Sequence, residues 1–136
     1  MRDPRLPYPY APDERFGSEE YEAVDALYKA LDKLDGYRFT YLDDHTRLID
    51  DLRKLNPQIA LNLCDTGFRN NTYRELNIPA LLEILDIPYT GAGPIGMTLS
   101  TDKSLVRAMA QNDGIPVPNE LFVDLHADPL VLPNLY

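Results

Sequence analysis

The spacing of apolar residues predicts helices along much of this chain, because they recur every three or four positions in several stretches. The first predicted helix begins at Ser18, a suitable N-cap, and stops at Gly36. The second is capped by Asp43 or Asp44 and closes at Asn56-Pro57. The other predicted helices are a stretch from Leu76 to Leu85, a short helix after it, and a helix from Ser100 to Gly114.

Short apolar or alternating runs between these helices are typical of β-strands. They are Tyr37–Leu42, Ile59–Cys64, Ile87–Pro94 (a strand leading into a glycine-rich turn) and Glu120–Leu125. Strands that alternate with helices over short connections predict an α/β fold with a mostly parallel sheet. Because the order begins with a helix, the first strand is either missing or supplied by the proline-rich segment 1–17.

The loop after Ile59–Cys64 is the first candidate site, since ligands of open parallel sheets bind at the carboxyl ends of strands. It gathers Asp65, Thr66, Gly67 and Arg69 within a few residues, together with two asparagines. A solvated turn accounts for the same residue types, because Gly, Asn and Asp dominate turns. The glycine-rich stretch Tyr89–Pro94 is a second candidate, although it lacks a full dinucleotide-binding fingerprint and also suits a tight turn.

Composition limits the classes of partner. The 136 residues are 44% hydrophobic and carry a net charge of -9, which suits one folded domain and disfavours nucleic acid or an anionic membrane surface as partner. A lone cysteine, Cys64, and the lack of a membrane-spanning run predict a cytoplasmic protein. His45 and His126 lack companions at metal-ligand spacing, so we expect no metal site within this chain.

Lys103 poses a question of local electrostatics. It lies beside Asp102 in the first turn of the last predicted helix. A carboxylate is favoured there, whereas a cation opposes the helix dipole by roughly 0.3–1 kcal/mol. A lysine at this position either reaches solvent or serves a bound anion.

Two longer segments resemble the D-alanine–D-alanine ligase group of the ATP-grasp superfamily. They are NLCDTGFRNNTYRELNIPALLEILDIPYTGAGP and LSTDKSLVRAMAQNDGIPVP, and the resemblance runs from about Pro57 to Val123. Its most specific pieces are Pro79–Gly91, the Asp102-Lys103 pair and Gly114–Pro118. Their shared order and spacing carry the resemblance.

The resemblance implies a fold and a reaction. It implies a Rossmann-like pre-ATP-grasp domain over residues 18–99, and a linker helix with the truncated start of the ATP-binding domain over 100–136. The reaction implied is ATP-dependent ligation of a carboxylate to an amine through an acyl phosphate, with ATP and magnesium as cofactors of the complete enzyme. Lys103 matches the lysine that contacts the ATP phosphates, and Asp65, Thr66, Gly67 and Arg69 match the substrate-side loop. A homodimer is also implied.

Departures from the family pattern raise an alternative. The loop lacks the family's histidine and second glycine, so the resemblance does not identify D-alanine as the substrate. The expected partners are small molecules, namely an amino acid or another carboxylate and an amine. No catalytic residues, metal ligands or glycine-rich phosphate loop follow within the chain, so we expect these 136 residues alone to be inactive. The alternative is a catalytically silent α/β module that binds or assembles.

Overall fold

The computed structural model describes residues 3–7 and 18–120 of the protein. This part contains five α-helices and two short 3-10 helices. The α-helices are α1 (Ser18–Leu31), α2 (Leu48–Leu55), α3 (Asn77–Ile84), α4 (Pro94–Thr101) and α5 (Lys103–Asn112), and the 3-10 helices are Phe68–Asn70 and Thr72–Arg74. The chain divides into two compact units, Met1–Thr98 and Leu99–Tyr136, and each is described on its own.

Helix α2 was predicted correctly, but its start was not. Its N-cap is Arg47, without a side-chain cap bond. Asp44 instead holds the preceding turn, because its carboxylate accepts the backbone N–H of Thr46 at 2.9 Å. At the other end Asn56 takes a left-handed conformation with φ 43° and donates its N–H to the Leu52 carbonyl at 2.9 Å, which ends the helix before Pro57.

The last helix begins three residues later than predicted. Ser100 belongs to α4, whereas Asp102 has extended backbone and caps α5 by accepting the Leu105 N–H at 3.0 Å. Gly114 ends the helix with φ +74°, and the Ile115 N–H returns to the Ala110 carbonyl at 2.9 Å. This is a Schellman ending, which requires a left-handed residue that glycine adopts without strain.

The predicted parallel sheet is wrong for the described residues, which contain no β-strand. Ile59–Cys64 and Ile87–Pro94 meet in an isolated parallel bridge between Ala60 and Tyr89. The Ala60 N–H donates to the Pro88 carbonyl at 2.7 Å, and the Thr90 N–H donates to the Ala60 carbonyl at 3.0 Å. The predicted Rossmann-like pre-ATP-grasp architecture is corrected accordingly.

The sheet prediction is wrong because a strand depends on backbone pairing with its neighbours. An alternating pattern predicts which side chains can be buried. A strand also needs neighbouring segments that form hydrogen bonds with its N–H and C=O groups. Alternation is present, since Ala60 and Cys64 pack against the core while Ile59, Leu61 and Leu63 stay 59%, 45% and 40% exposed. The described residues give this segment no partner on its second edge. Residues 121–125 of the last predicted strand and 8–17 of the proline-rich segment lie outside the described part.

The core of the first unit lies between α2 and α3. Leu48 and Leu52 of α2 meet Ile78 and Leu82 of α3, and Ile87 joins them from the segment after α3. Each such side chain contributes roughly 1.5–3 kcal/mol when it is fully buried. The partly buried residues around this core are Leu42, Ala60, Cys64, Phe68, Leu81, Leu85 and Tyr89. No helix within the described ranges is long and apolar enough to cross a membrane.

Candidate functional site

The loop after Cys64 is built from two consecutive 3-10 helices, Phe68–Asn70 and Thr72–Arg74. Its four predicted site residues differ in environment: Asp65 and Arg69 are exposed, Thr66 is partly buried and Gly67 is buried. Within the chain segments that the structure describes, the Thr66 hydroxyl is buried without a hydrogen-bond partner. The loop is therefore more than a solvated turn, because two of its residues are packed against the protein.

Gly67 is required by its conformation and by its surroundings. Its φ of +75° lies in the region that favours glycine. A Cβ added there would lie 2.1 Å from the Asn71 carbonyl oxygen and 2.9 Å from the Glu75 nitrogen. Both neighbours are backbone atoms, so a larger residue forces the loop itself to move.

Asn70 fastens the loop to the start of the chain. It is fully buried, and its Oδ1 accepts the Asp3 N–H at 2.8 Å. Its Nδ2 donates to the carbonyls of Asp3 at 2.8 Å and Leu6 at 3.1 Å. The amide thus satisfies the Asp3 N–H and the Leu6 carbonyl, and it gives the Asp3 carbonyl a second donor besides the Leu6 N–H.

Asp3 and His45 also hold the loop after Cys64 in place. The fully buried Asp3 carboxylate accepts the His45 N–H at 2.8 Å, and its other oxygen accepts the Arg5 Nε–H at 3.0 Å. His45 is 3% exposed, stacks on Phe68 with ring centroids 5.7 Å apart, and accepts the Arg69 N–H on Nδ1 at 2.8 Å. His45 therefore positions the loop, and it precedes α2.

Arg69 is one of two exposed cations in the loop, and the other is Arg74. The Arg69 backbone is left-handed with φ 57°, and its guanidinium lies 5.8 Å from the Phe68 ring centroid. No carboxylate in residues 3–7 or 18–120 pairs with this guanidinium. The arrangement suits an anionic group at the protein surface, since a guanidinium binds carboxylates and phosphates through two parallel hydrogen bonds.

Lys103 lies in the second unit, as the exposed first residue of α5. The Asp102 carboxylate beside it is engaged with the Leu105 N–H, so it caps the helix. Within the described part of the chain the Lys103 ammonium makes no ion pair. Its chemistry fits one phosphate of a nucleotide, because a lysine acts as a point charge and the helix N-terminus adds backbone N–H donors.

The described residues contain no group of three or more His, Cys, Asp or Glu side chains that could hold a metal ion. His126 lies outside the described residues. Sequence reasoning missed Asp3 and the anchoring role of Asn70, because a contact across 67 positions leaves no spacing signal. It noted His45 only as a metal candidate.

Comparison with curated proteins identifies the relatives of this chain. It is 31% identical over 105 residues to a D-alanine–D-alanine ligase of Carboxydothermus hydrogenoformans, covering 77% of this chain and 32% of that protein. A D-alanine–D-alanine ligase of Azorhizobium caulinodans is 36% identical over 90 residues, or 66% of this chain and 28% of the relative. One from Rhizobium meliloti is 31% identical over 111 residues, or 80% of this chain and 35% of the relative.

This chain is a relative of the D-alanine–D-alanine ligases. The resemblance predicted from Pro79–Gly91, Asp102-Lys103 and Gly114–Pro118 is thus confirmed. The chain spans about one third of the length of these curated ligases. No family model matches the chain. No solved structure matches it either.

Proposed function

We propose that this chain is the N-terminal part of an ATP-dependent ligase that joins a carboxylate to an amine with release of ADP and phosphate. The observation that carries the proposal is its similarity to several D-alanine–D-alanine ligases over 66% to 80% of its length. Residues 18–99 correspond in this proposal to the first domain, and residues 100–136 to the start of the ATP-binding domain. ATP and magnesium act in the complete enzyme.

Lys103 is the proposed nucleotide contact of this chain. Its ammonium would pair with an ATP phosphate, and the backbone N–H groups at the start of α5 would donate to the same anion. Such charge-assisted hydrogen bonds contribute more than the fraction of a kcal/mol by which the helix dipole disfavours a lysine there. The same pairing accounts for a cation in the first turn of α5.

The loop of Asp65, Thr66, Gly67 and Arg69 is the proposed substrate-side wall. Arg69 would bind an anionic substrate group, and Asp65 would attract a cationic amine. His45 and Asn70 hold the backbone on which these side chains stand. Because the loop lacks the histidine and second glycine of the family pattern, we propose a substrate other than D-alanine.

Nuclear magnetic resonance detects weak nucleotide binding and therefore tests the Lys103 assignment. We expect ATP to shift the amide signals of Lys103, Ser104 and Leu105 with an affinity of about millimolar. Lys103→Ala should abolish these shifts, whereas Lys54→Ala, which removes an exposed lysine from α2, should leave them unchanged. Shifts that survive Lys103→Ala, or that depend equally on Lys54, would reject the assignment.

An assay of ADP release separates the ligase proposal from its alternative. The 136-residue chain alone should release no ADP, since phosphoryl transfer depends on metal ions and several placed cations. The silent-module alternative predicts the same result but no nucleotide contact at Lys103. ATP-induced shifts at the start of α5 therefore favour the ligase hypothesis over the module.

A further inference from the structure

His45 is a buried titratable side chain whose contact with the loop depends on its protonation state. Its Nδ1 accepts the backbone N–H of Arg69 at 2.8 Å. A ring nitrogen of histidine accepts a hydrogen bond only when it carries no proton, so the neutral imidazole is the form that fits this contact. Protonation adds a hydrogen to Nδ1. Two donors, the Nδ1–H of His45 and the N–H of Arg69, would then face each other.

The residue held by this bond has a strained backbone. Arg69 has φ 57°, and Asn70 after it has φ 55°. Asparagine adopts this left-handed region more readily than arginine does. Asn70 is also fixed by side-chain bonds to Asp3 and Leu6, whereas the corresponding restraint on Arg69 is the bond from its N–H to His45. Loss of that bond therefore allows the Arg69 backbone to return to a less strained conformation.

The position of the imidazole ring is also fixed. The Asp3 carboxylate accepts the His45 N–H at 2.8 Å, and the Phe68 ring stacks on the imidazole with centroids 5.7 Å apart. A positive charge on this ring would be buried, and the hydrogen added to Nδ1 would meet a donor instead of an acceptor. Protonation therefore favours a second arrangement, in which the ring and the Arg69 N–H have separated.

Other charged groups surround His45, and one of them is buried as well. The charged and titratable groups on the elements around it are Asp3 and Arg5 near the start of the chain, Asp43 and Asp44 before it, Arg47 and Asp51 at α2, Cys64, and Asp65 and Arg69 in the loop. Only Asp3 among these groups is buried, and the Arg5 guanidinium pairs with its carboxylate at 3.0 Å. A test of His45 must therefore separate its titration from that of Asp3.

We propose that His45 is a pH-sensitive latch: the neutral ring holds the Arg69 backbone, and protonation releases it and so weakens anion binding by the Arg69 guanidinium. Histidine is the side chain whose charge ordinarily changes between about pH 5 and pH 8. The latch itself rests on the contact between His45 and Arg69. Its effect on anion binding rests on the proposed function of Arg69 as a substrate contact.

Amide hydrogen exchange on the full chain tests the latch without a ligand. The measured quantity is the protection factor, from which the intrinsic pH dependence of exchange has been removed. We expect the factor at Arg69 to fall at least about tenfold from pH 8 to pH 5, because its N–H loses its acceptor. The Ile87 amide, which bonds to the Leu82 carbonyl at 2.9 Å in the core, is the internal reference and should stay protected. An unchanged factor at Arg69, or an equal fall at both amides, overturns the proposal.

His45→Asn is the matched variant. The Oδ1 of asparagine lies as many bonds from the backbone as the Nδ1 of histidine, and it accepts a hydrogen bond at either pH. The variant should therefore keep Arg69 protected at pH 5. His126→Gln removes the other histidine of the chain and should leave the fall unchanged. A fall at Arg69 that persists in His45→Asn would assign it to another group, such as Asp3, and would overturn the latch.

The ring protons of His45 provide a check that needs no folded variant. Their nuclear magnetic resonance signals report the titration of this imidazole directly. We expect that titration and the loss of protection at Arg69 to share one midpoint, because one proton causes both. Two separate midpoints would contradict the proposal.

Sulfate tests the effect of the latch on anion binding, since its charge stays the same from pH 5 to pH 8. The side-chain carbon signals of Arg69 report its binding. We expect the dissociation constant to be at least about threefold larger at pH 5 than at pH 8, and His45→Asn to show no such increase. Equal affinity of the unmodified chain at both pH values would overturn regulation by the latch. Absence of binding at both would instead reject Arg69 as the anion contact of the proposed function, while the exchange measurement still decides the latch.

Discussion

The Asn70 side chain bonds to both the N–H and the carbonyl of Asp3, each at 2.8 Å, although 67 positions separate the two residues. This relationship connects the candidate substrate loop with the first residues of the chain. Because both residues are fully buried, neither can exchange the bond for water. The conformation of the loop therefore depends on a segment remote in sequence.

Replacing Asn70 should destabilise the first unit strongly. Asn70→Ala leaves the Asp3 N–H and the Leu6 carbonyl without partners and places alanine in a left-handed conformation, which together cost about 3 kcal/mol. Urea denaturation measures the loss. The matched control is Asn71→Ala, which removes a single cap bond to the Tyr73 N–H and should cost about 1 kcal/mol. A smaller loss for Asn70→Ala than for Asn71→Ala would refute the anchoring role.

Gly67 should not tolerate a side chain. Gly67→Ala brings a Cβ against backbone atoms of Asn71 and Glu75, and it should cost at least about 2 kcal/mol or displace the loop. Gly91→Ala is the control, because Gly91 also has a positive φ but no atom lies within 4 Å of the added Cβ. It should cost about 1 kcal/mol from strain alone. Equal thermal shifts for the two variants would show that crowding at Gly67 is unimportant.

The sequence predicts a structural feature of this protein well when the interacting residues are close together in sequence, and poorly when they are far apart. Asp102 and Gly114 act on their own helix, so the cap and the end of α5 are readable from local sequence. Pairing of Ile59–Cys64 depends on segments elsewhere in the chain, and an apolar run carries no information about them. The sheet prediction failed for that reason.

The residues of the candidate site also fall into two groups, those that local sequence identifies and those that it does not. Gly67 and Arg69 were identified from the composition of one loop. Asp3 and His45 support that loop although they lie 66 and 24 positions before Arg69 in the sequence. No short sequence motif indicates either contact. Residue type alone also misdirects, since His45 was considered only as a metal ligand.

Asp86 offers a stabilising substitution. It has φ 53° at the end of α3, where the Ile87 N–H bonds to the Leu82 carbonyl at 2.9 Å. This Schellman position is occupied with least strain by glycine. Asp86→Gly should therefore stabilise the first unit by about 0.5 kcal/mol, as measured by urea denaturation. Asp86→Ala keeps the strain and should give no gain, so stabilisation by alanine as well would point to a cause other than backbone conformation.

Tyr41 should titrate far above an ordinary tyrosine. Its hydroxyl donates to Asp32 at 2.7 Å, and this hydrogen bond is the main reason that the pKa of Tyr41 is raised to about 12, with desolvation and the Asp32 charge adding to it. The folded pKa exceeds the unfolded value of about 10. The stabilising contribution is therefore complete below about pH 10 and is lost as the pH rises through about 12.

Absorbance of the phenolate measures this titration, and Tyr41→Phe identifies the Tyr41 component within the total. Asp32→Asn should lower the pKa of Tyr41 towards 10, because an amide removes both the charge and the strongest acceptor. Asp35→Asn removes a carboxylate three positions further along the chain that makes no bond to Tyr41, and it should leave the titration unchanged. A Tyr41 pKa equally sensitive to both substitutions would indicate a general effect of negative charge rather than the specific hydrogen bond from Tyr41 to Asp32.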